Sequence, residues 1–368
     1  MSLQGKGYFI WKLPKCENAN PTAIAKLARS ANLTHVLIKI ADGIFKYNVD
    51  KSTLYDYVPP VVAELKRHGI QVWGWHYIYG MDPQGEARIA IQRVKDLGLD
   101  GYVIDAESEF KIAGRATAAR TFMSKIRSEL SAVPIALSSF RYPSYHPQFP
   151  WKEFLNQCDL NMPQVYWEKA HNPASQLVRV VKEFQAMTPY RPLIPTGAAY
   201  GAGTWHPTAV DIVEFLDQVQ ALKIPAANFY SWDESRGRFP DLWKAVNDYP
   251  WGLLPPEPVA DIADQLVGAW NSHDIEQIAN LYTANAAHIT SARTVHGILS
   301  IRAWYGTFLR TLLPNGRFQR TGLTGTGNNR HLSWTATSDS GKVLDGVDTL
   351  GLLDGKIVYH YSSFTVTK

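Results

Sequence analysis

Cysteine is scarce. Of 368 residues only Cys16 and Cys158 carry thiols, and on the topology read below they fall near opposite ends of one domain, so a disulfide framework is excluded. Long hydrophobic runs are missing too. No apolar stretch approaches the ~20 residues of a membrane helix, and Met1-Ser2-Leu3-Gln4 has no basic region followed by an apolar one. The expectation is a chain without membrane contact, cytoplasmic as written or secreted if a leader has been removed. An excess of one charge sign is absent as well: 37 Lys and Arg face 33 Asp and Glu, and no basic cluster exceeds two residues in a row. Nucleic acid is therefore not an expected partner. No His or Cys pair has ligand spacing with a third partner, so neither a metal nor a cofactor is expected.

Aromatics and apolar residues are plentiful. Hydrophobic residues make up 45% of the chain and charged residues 19%, with 12 Trp and 18 Tyr. That composition supports packed cores, and the length accommodates a barrel of about 250 residues plus a domain of about 110. Eight short runs rich in β-branched and aromatic residues alternate with helical periodicity: Gly7–Leu13, His35–Ala41, Gln71–Tyr79, Gly101–Glu107, Pro134–Ser139, Leu160–Trp167, Leu193–Gly197 and Asn228–Asp233. Between them Pro21–Ala31, Leu54–His68, Gln84–Leu97, Ala116–Leu130, Ser175–Met187 and Thr208–Leu222 repeat apolar residues at three and four. Asn32, Gly69 and Gly98 punctuate helix ends as left-handed caps. The fold class is α/β, a (β/α)8 TIM barrel over residues 1–250; an open doubly wound sheet is the alternative, disfavoured because no Gly-rich phosphate loop follows the first strand.

A closing helix over Phe239–Val246 leads into a proline-rich linker, 251–258. Residues 259–368 then read as a small α+β cone. Helices are expected over Val259–His273, Ile275–Tyr282 and Ile298–Leu312. Strands are expected over Gly316–Thr324, Arg330–Ser338, Val343–Leu353 and Lys356–Val366, the last two joined by an Asp354-Gly355 turn.

Barrel chemistry belongs at the C-terminal ends of the strands. There the fourth run brings Asp105 and Glu107, two apart and so on one side of the strand. Around them fall Lys39, Asp42, His76, Tyr77, Gln164, Tyr166, Trp167, Trp232, Asp233 and Glu234 as candidate substrate-binding residues. Paired carboxylates repel, which raises one pKa and suits it to donate a proton to a leaving oxygen; aromatic platforms beside them suit sugars. Glu107 is the expected acid, with Asp105 tuning it. The competing interpretation pairs both acids with Lys39 or Lys12 in a structural ion network.

The run Asp100-Gly-Tyr-Val-Ile-Asp105-Ala-Glu107 resembles the fourth-strand signature of family 18 chitinases, with Val103 where that family has a third Asp. Val36-Leu-Ile-Lys39-Ile-Ala-Asp-Gly43, Gly74-Trp-His76-Tyr and Ile104-Asp105-Ala-Glu107 look more like family 25 lysozymes, whose first-strand Asp is replaced here by Gly7-Tyr-Phe-Ile-Trp11-Lys12. The seventh run, Leu193-Ile-Pro-Thr196-Gly197, has no carboxylate. The resemblance implies a glycoside hydrolase acting on an amino-sugar polymer such as peptidoglycan or chitin, or a carbohydrate-binding barrel that has lost turnover.

In the C-terminal part, Ala263-Asp-Gln-Leu-Val-Gly-Ala-Trp270-Asn-Ser-His273-Asp274, Leu281-Tyr282, Gly297 and Asp354-Gly355-Lys356-Ile357-Val358 resemble the SnoaL-like branch of the nuclear transport factor 2-like superfamily. That resemblance implies a cone with an apolar pocket holding Trp270, Tyr282, Trp304, Trp334, Asp348 and Tyr361, and a small apolar ligand. It further implies isomerase or cyclase chemistry, with Asp348 beside Tyr282 or His288, or else a binding or homodimerising module.

Overall fold

The computed structural model describes residues 3–251 and 260–368. The chain divides into two compact units, Met1–Pro258 and Val259–Lys368. Of the expected linker, all but Trp251 lies outside the described residues.

The first unit is a closed parallel barrel. Its strands are β1 (Gly5–Ile10), β2 (Leu33–Asp42), a short hairpin arm β3 (Phe45–Lys46), β4 (Gln71–Ile78), β5 (Gly101–Ala106), β6 (Ile135–Phe140), β7 (Leu160–Val165), β8 (Thr196–Ala198) and β9 (Ala226–Tyr230). The order β1-β9-β8-β7-β6-β5-β4-β2 closes through a β1–β2 pairing, leaving eight parallel staves. An open sheet is thereby excluded. The helices are α1 (Pro21–Ser30), α2 (Val58–Arg67), α3 (Pro83–Leu97), α4 (Arg115–Glu129), α5 (Trp151–Leu155), α6 (Pro173–Gln185), α7 (Ala209–Ala221), α8 (Trp232–Gly237) and α9 (Pro240–Asp248). Asn32, Gly69 and Gly98 all take positive φ where helices give way to strands. The eighth stave in sequence order stops at Tyr230, so the predicted strand residues Trp232 and Asp233 open α8 instead. β8 is only three residues long because Pro192 and Pro195 remove ladder donors just before it.

Alternation sorts side chains into two layers. Phe9, Leu37, Trp73, Trp75, Val103, Met162 and Ile194 fill the barrel axis, while Tyr8, Ile10, Val36, Ile38, Tyr102, Ile104, Leu137 and Phe229 pack under the helices. Gly101 leaves room for a ring on the axis: a Cβ there would stand 2.3 Å from the Trp73 indole. Both cysteines are buried and unpaired, and among the described residues no helix is long and apolar enough to cross a membrane.

The second unit packs helices α10 (Ile262–Ser272), α11 (Ile275–Ala279) and α12 (Ile298–Thr307) on one curved sheet. Its strands are β10 (Tyr282–Thr290), β11 (Thr294–His296), β12 (Arg317–Thr324), β13 (Asn329–Ser338), β14 (Gly341–Leu353) and β15 (Lys356–Ser363), ordered β11-β10-β15-β14-β13-β12. Four of these strands follow the sequence pattern; β10 and β11 do not. The expected second helix ends at Ala279, and Tyr282 starts a strand. The run Thr283-Ala-Asn-Ala-Ala lacks the β-branched alternation that marks strands, so parallel pairing of Ala287, His288 and Ile289 with β15 decides the matter. Asp354 and Gly355 both have positive φ, as a two-residue hairpin needs.

Candidate functional site

At the barrel mouth the in-facing side chains of the strands line a cavity of about 380 Å³, a register shift between Lys39 and Ala41 bringing both Lys39 and Asp42 of β2 to it. β5 contributes Asp105 and, one step beyond its end, Glu107; β4 contributes Trp75 and Tyr77, β2 Lys39 and Asp42, β7 Gln164, and β9 Tyr230. Trp11, Tyr166 and Glu109 complete much of the wall. The Gln164 amide donates to Asp105 Oδ1 at 3.1 Å and to Glu107 Oε1 at 2.9 Å, tying the two acids together. Burial above all, then the neighbouring Glu107 charge, holds the Asp105 carboxyl well above the usual carboxylate range. Burial raises Glu107 too, with the Gln164 hydrogen bond opposing it. Both shifts favour the protonated carboxyl.

The competing ion network is not what forms. Lys39 pairs with Asp42 at 2.5 Å and lies over the rings of Tyr47, Trp75 and Tyr77 at 4.4–5.8 Å. Lys12 caps the Trp11 ring at 3.9 Å. Asp42 also accepts from Tyr79 at 2.7 Å, and Tyr77 donates to Glu109 at 2.9 Å. Glu109, on the turn after β5, was not among the expected residues, although Asp105, Glu107 and Glu109 continue one alternation.

Five expected residues lie elsewhere, four by strand parity or by the early end of β9. His76 is fully buried under the helices, held by Tyr102 Oη at 2.9 Å and the Gly43 carbonyl at 2.7 Å, and burial pushes its pKa down to about 4. Trp167 packs on Phe215, and Trp232 on Tyr8 and Trp243 with its indole N–H on Glu17. Asp233 accepts from the Trp11 backbone at 3.2 Å and so fixes the end of β1, while Glu234 on α8 pairs with Arg238 just past the end of that helix. A larger groove of about 1110 Å³ runs along α7 and α9 past Val210, Val213, Pro240 and Leu242. It lies on the helical layer and holds no paired buried acids.

The inner face of the second unit's sheet holds a different cluster. Tyr282 Oη lies 2.5 Å from His360 Nδ1 and 2.6 Å from Tyr305 Oη. His360 Nε2 and Asp348 Oδ2 are 3.0 Å apart without hydrogen-bond alignment, and Ser362 donates to Asp348 Oδ1 at 2.7 Å. His288 is 2% exposed, stacks on His360, and has no hydrogen-bond partner at either ring nitrogen. Burial, then the His360 charge, pushes its pKa down to about 2, so it is a neutral imidazole. Burial holds the Tyr282 and Tyr305 phenols above their usual range.

Residues 263–360 match the family model of the SnoaL-like domain. The C-terminal unit is a SnoaL-like domain. No curated protein matches the chain. Solved structures similar to it include a ketosteroid isomerase candidate from Kribbella flavida (15% identity, 29% of this chain and 77% of that one, TM-score 0.26). Two others are an isomerase candidate of the SnoaL-like family from Agrobacterium tumefaciens (26% identity, 28% and 94%, TM-score 0.25) and a polyketide cyclase candidate from Sinorhizobium meliloti (14% identity, 30% and 94%, TM-score 0.26).

Within the SnoaL-like domain, Trp270, Trp304 and Trp334 join the aromatic core, as do Tyr282 and Tyr305. Tyr361 does not: the β14–β15 register pairs it with Thr349 on the outer face, where it is 40% exposed. His360, one residue earlier, takes the inward position. Trp304 meets His288 edge-on at 5.7 Å and carries the Arg293 guanidinium over its ring at 5.5 Å.

Proposed function

We propose that the SnoaL-like domain performs acid–base chemistry of the isomerase or cyclase type on a small, largely apolar carbonyl compound. The observation that carries this reading is the unpartnered His288 imidazole stacked on His360, whose Nε2 lies 3.0 Å from Asp348 Oδ2, inside an otherwise aromatic core. Each buried polar atom left without a partner costs about 1–3 kcal/mol, so a group of them calls for an explanation that a bound polar atom supplies. In this reading Asp348, oriented through Oδ1 by Ser362, takes a proton from a carbon next to the ligand carbonyl. The C–H electron pair moves onto oxygen, which receives a hydrogen bond from neutral His288. Where a C=C bond adjoins that carbon, the proton then returns from Asp348 to the far end of it, and the double bond shifts into conjugation as the C=O re-forms. His360, Tyr282 and Tyr305 are positioning groups that hold the carboxylate side of the site. Hydrogen–deuterium exchange next to the carbonyl of a cyclic ketone tests it, with Asp348→Asn as the inactive variant.

A second reading is favoured by the barrel cleft: Glu107, with Asp105, protonates the leaving oxygen of an amino-sugar glycoside, or the cleft binds such a sugar without turnover. Its support is the pairing of two carboxyls of raised pKa with aromatic walls in one cavity. Release of reducing ends from peptidoglycan or chitin, lost in Glu107→Gln, separates turnover from binding.

A further inference from the structure

Resting on that second reading, we propose that the barrel ligand is an oligomer that extends from the acid cleft onto a second subsite formed by Tyr200, Trp205 and His171. These residues come from the loops after β7 and β8, the same end of the barrel as the acids. Trp205 and His171 border a separate cavity of about 470 Å³ whose other walls are Lys169, Thr204, His206 and Thr208, and Tyr200 stands between it and the acid cleft.

A chain of rings links the two cavities. Tyr230, in the wall of the acid cleft, lies 5.9 Å from Tyr200; Tyr200 lies 6.4 Å from Trp205, and Trp205 lies 6.3 Å from His171. Tyr166 flanks the start of the chain, 5.2 Å from Tyr200. Tyr200, Trp205 and Tyr230 are each neither buried nor fully exposed, so each offers some ring surface to a ligand.

Their polar edges are fixed while that surface stays available. The Trp205 indole N–H donates to the Ala170 carbonyl at 2.8 Å, and the Tyr200 hydroxyl donates to Glu168. His171 Nδ1 lies 2.7 Å from the Oδ2 of Asp211, whose carboxylate also accepts from the Thr208 backbone at the start of α7. Rings pinned at one edge cannot fold down onto the core, so they stand as preorganised platforms at low entropic cost. Pyranose rings present flat C–H faces to such platforms and hydroxyls to His171 and Lys169 at the rim. A single sugar in the acid cleft would leave Trp205 untouched, which is why the arrangement suits a chain of sugars.

Calorimetry on the full chain with β-1,4-linked N-acetylglucosamine oligomers of two and six units tests this. The wild type should bind the six-unit oligomer at least tenfold more tightly than the two-unit one. Trp205→Ala should lose that gain while leaving two-unit binding unchanged, and Trp205→Phe, which keeps a platform, should retain most of it. Binding of both oligomers with no length dependence, or an equal loss for both in Trp205→Ala with Trp205→Phe unaffected, would overturn the second subsite and leave the acid cleft standing. If neither oligomer binds the wild type, the sugar reading falls and takes the subsite with it.

Discussion

The imidazoles of His288 and His360 lie face to face, centroids 4.2 Å apart and planes 5° from parallel. Two such rings cannot both carry charge in a buried core, and the one without partners, His288, is held neutral down to about pH 2. In the unfolded chain a histidine takes a proton near pH 6.5. Below that the unfolded state binds more protons than the folded one, so stability falls as pH drops from about 6.5 toward 2, by up to about 1.4 kcal/mol per pH unit for this group. His288→Phe should keep the stacking and flatten that acid limb. Urea unfolding of the SnoaL-like domain, followed by Trp fluorescence between pH 7 and pH 4.5, reads the difference.

The acid pair in the barrel predicts the opposite slope. Asp105 and Glu107 have folded pKa values above their unfolded ones, so the folded state binds more protons and stability falls as pH rises from the ordinary carboxylate range through the raised values. Asp105→Asn should therefore raise the barrel's melting temperature at pH 7 and gain less at pH 4, by scanning calorimetry. An equal effect at both pH values would mean that the acid pair is not strained.

Removing the amide that joins the acids has a separate consequence. Gln164→Leu deletes the hydrogen bond that opposes burial at Glu107, so the Glu107 carboxyl should titrate at higher pH than in the wild type. Carbon-13 NMR of labelled side-chain carboxyls reports it directly.

Tyr282 joins Tyr305 to His360. Tyr282→Phe keeps the ring and leaves His360 Nδ1 only the longer Tyr305 contact at 3.5 Å, which should cost the SnoaL-like domain about 1 kcal/mol. The barrel's unfolding transition should not move, and denaturant unfolding with domain-specific probes distinguishes the two.

Much of the fold was legible because period and punctuation agree. The eight barrel runs, the left-handed caps at Asn32, Gly69 and Gly98, and the Asp354-Gly355 turn are local signals that tertiary structure did not override. β10 was hidden because its strand state comes from pairing with β15 rather than from its own residues. In the site, parity was readable for Asp105 and Glu107 but was not followed through for His76 and Trp167, which the same alternation turns outward from the axis. His360 was passed over for Tyr361, since only the register with β14 shows which of two neighbours faces inward. Asp348 was legible, but the Ser362 and Tyr305 contacts that complete its cluster come from elements far apart in sequence.

The central claim is that Asp348 is a proton acceptor for a carbonyl ligand, and deuterium uptake from D2O next to the carbonyl of 2-tetralone, followed by proton NMR, tests it most directly. The account predicts uptake faster than in buffer, unchanged in Glu107→Gln and reduced by about 10²–10⁴-fold in Asp348→Asn. Uptake no faster than in buffer, or undiminished in Asp348→Asn, would contradict it.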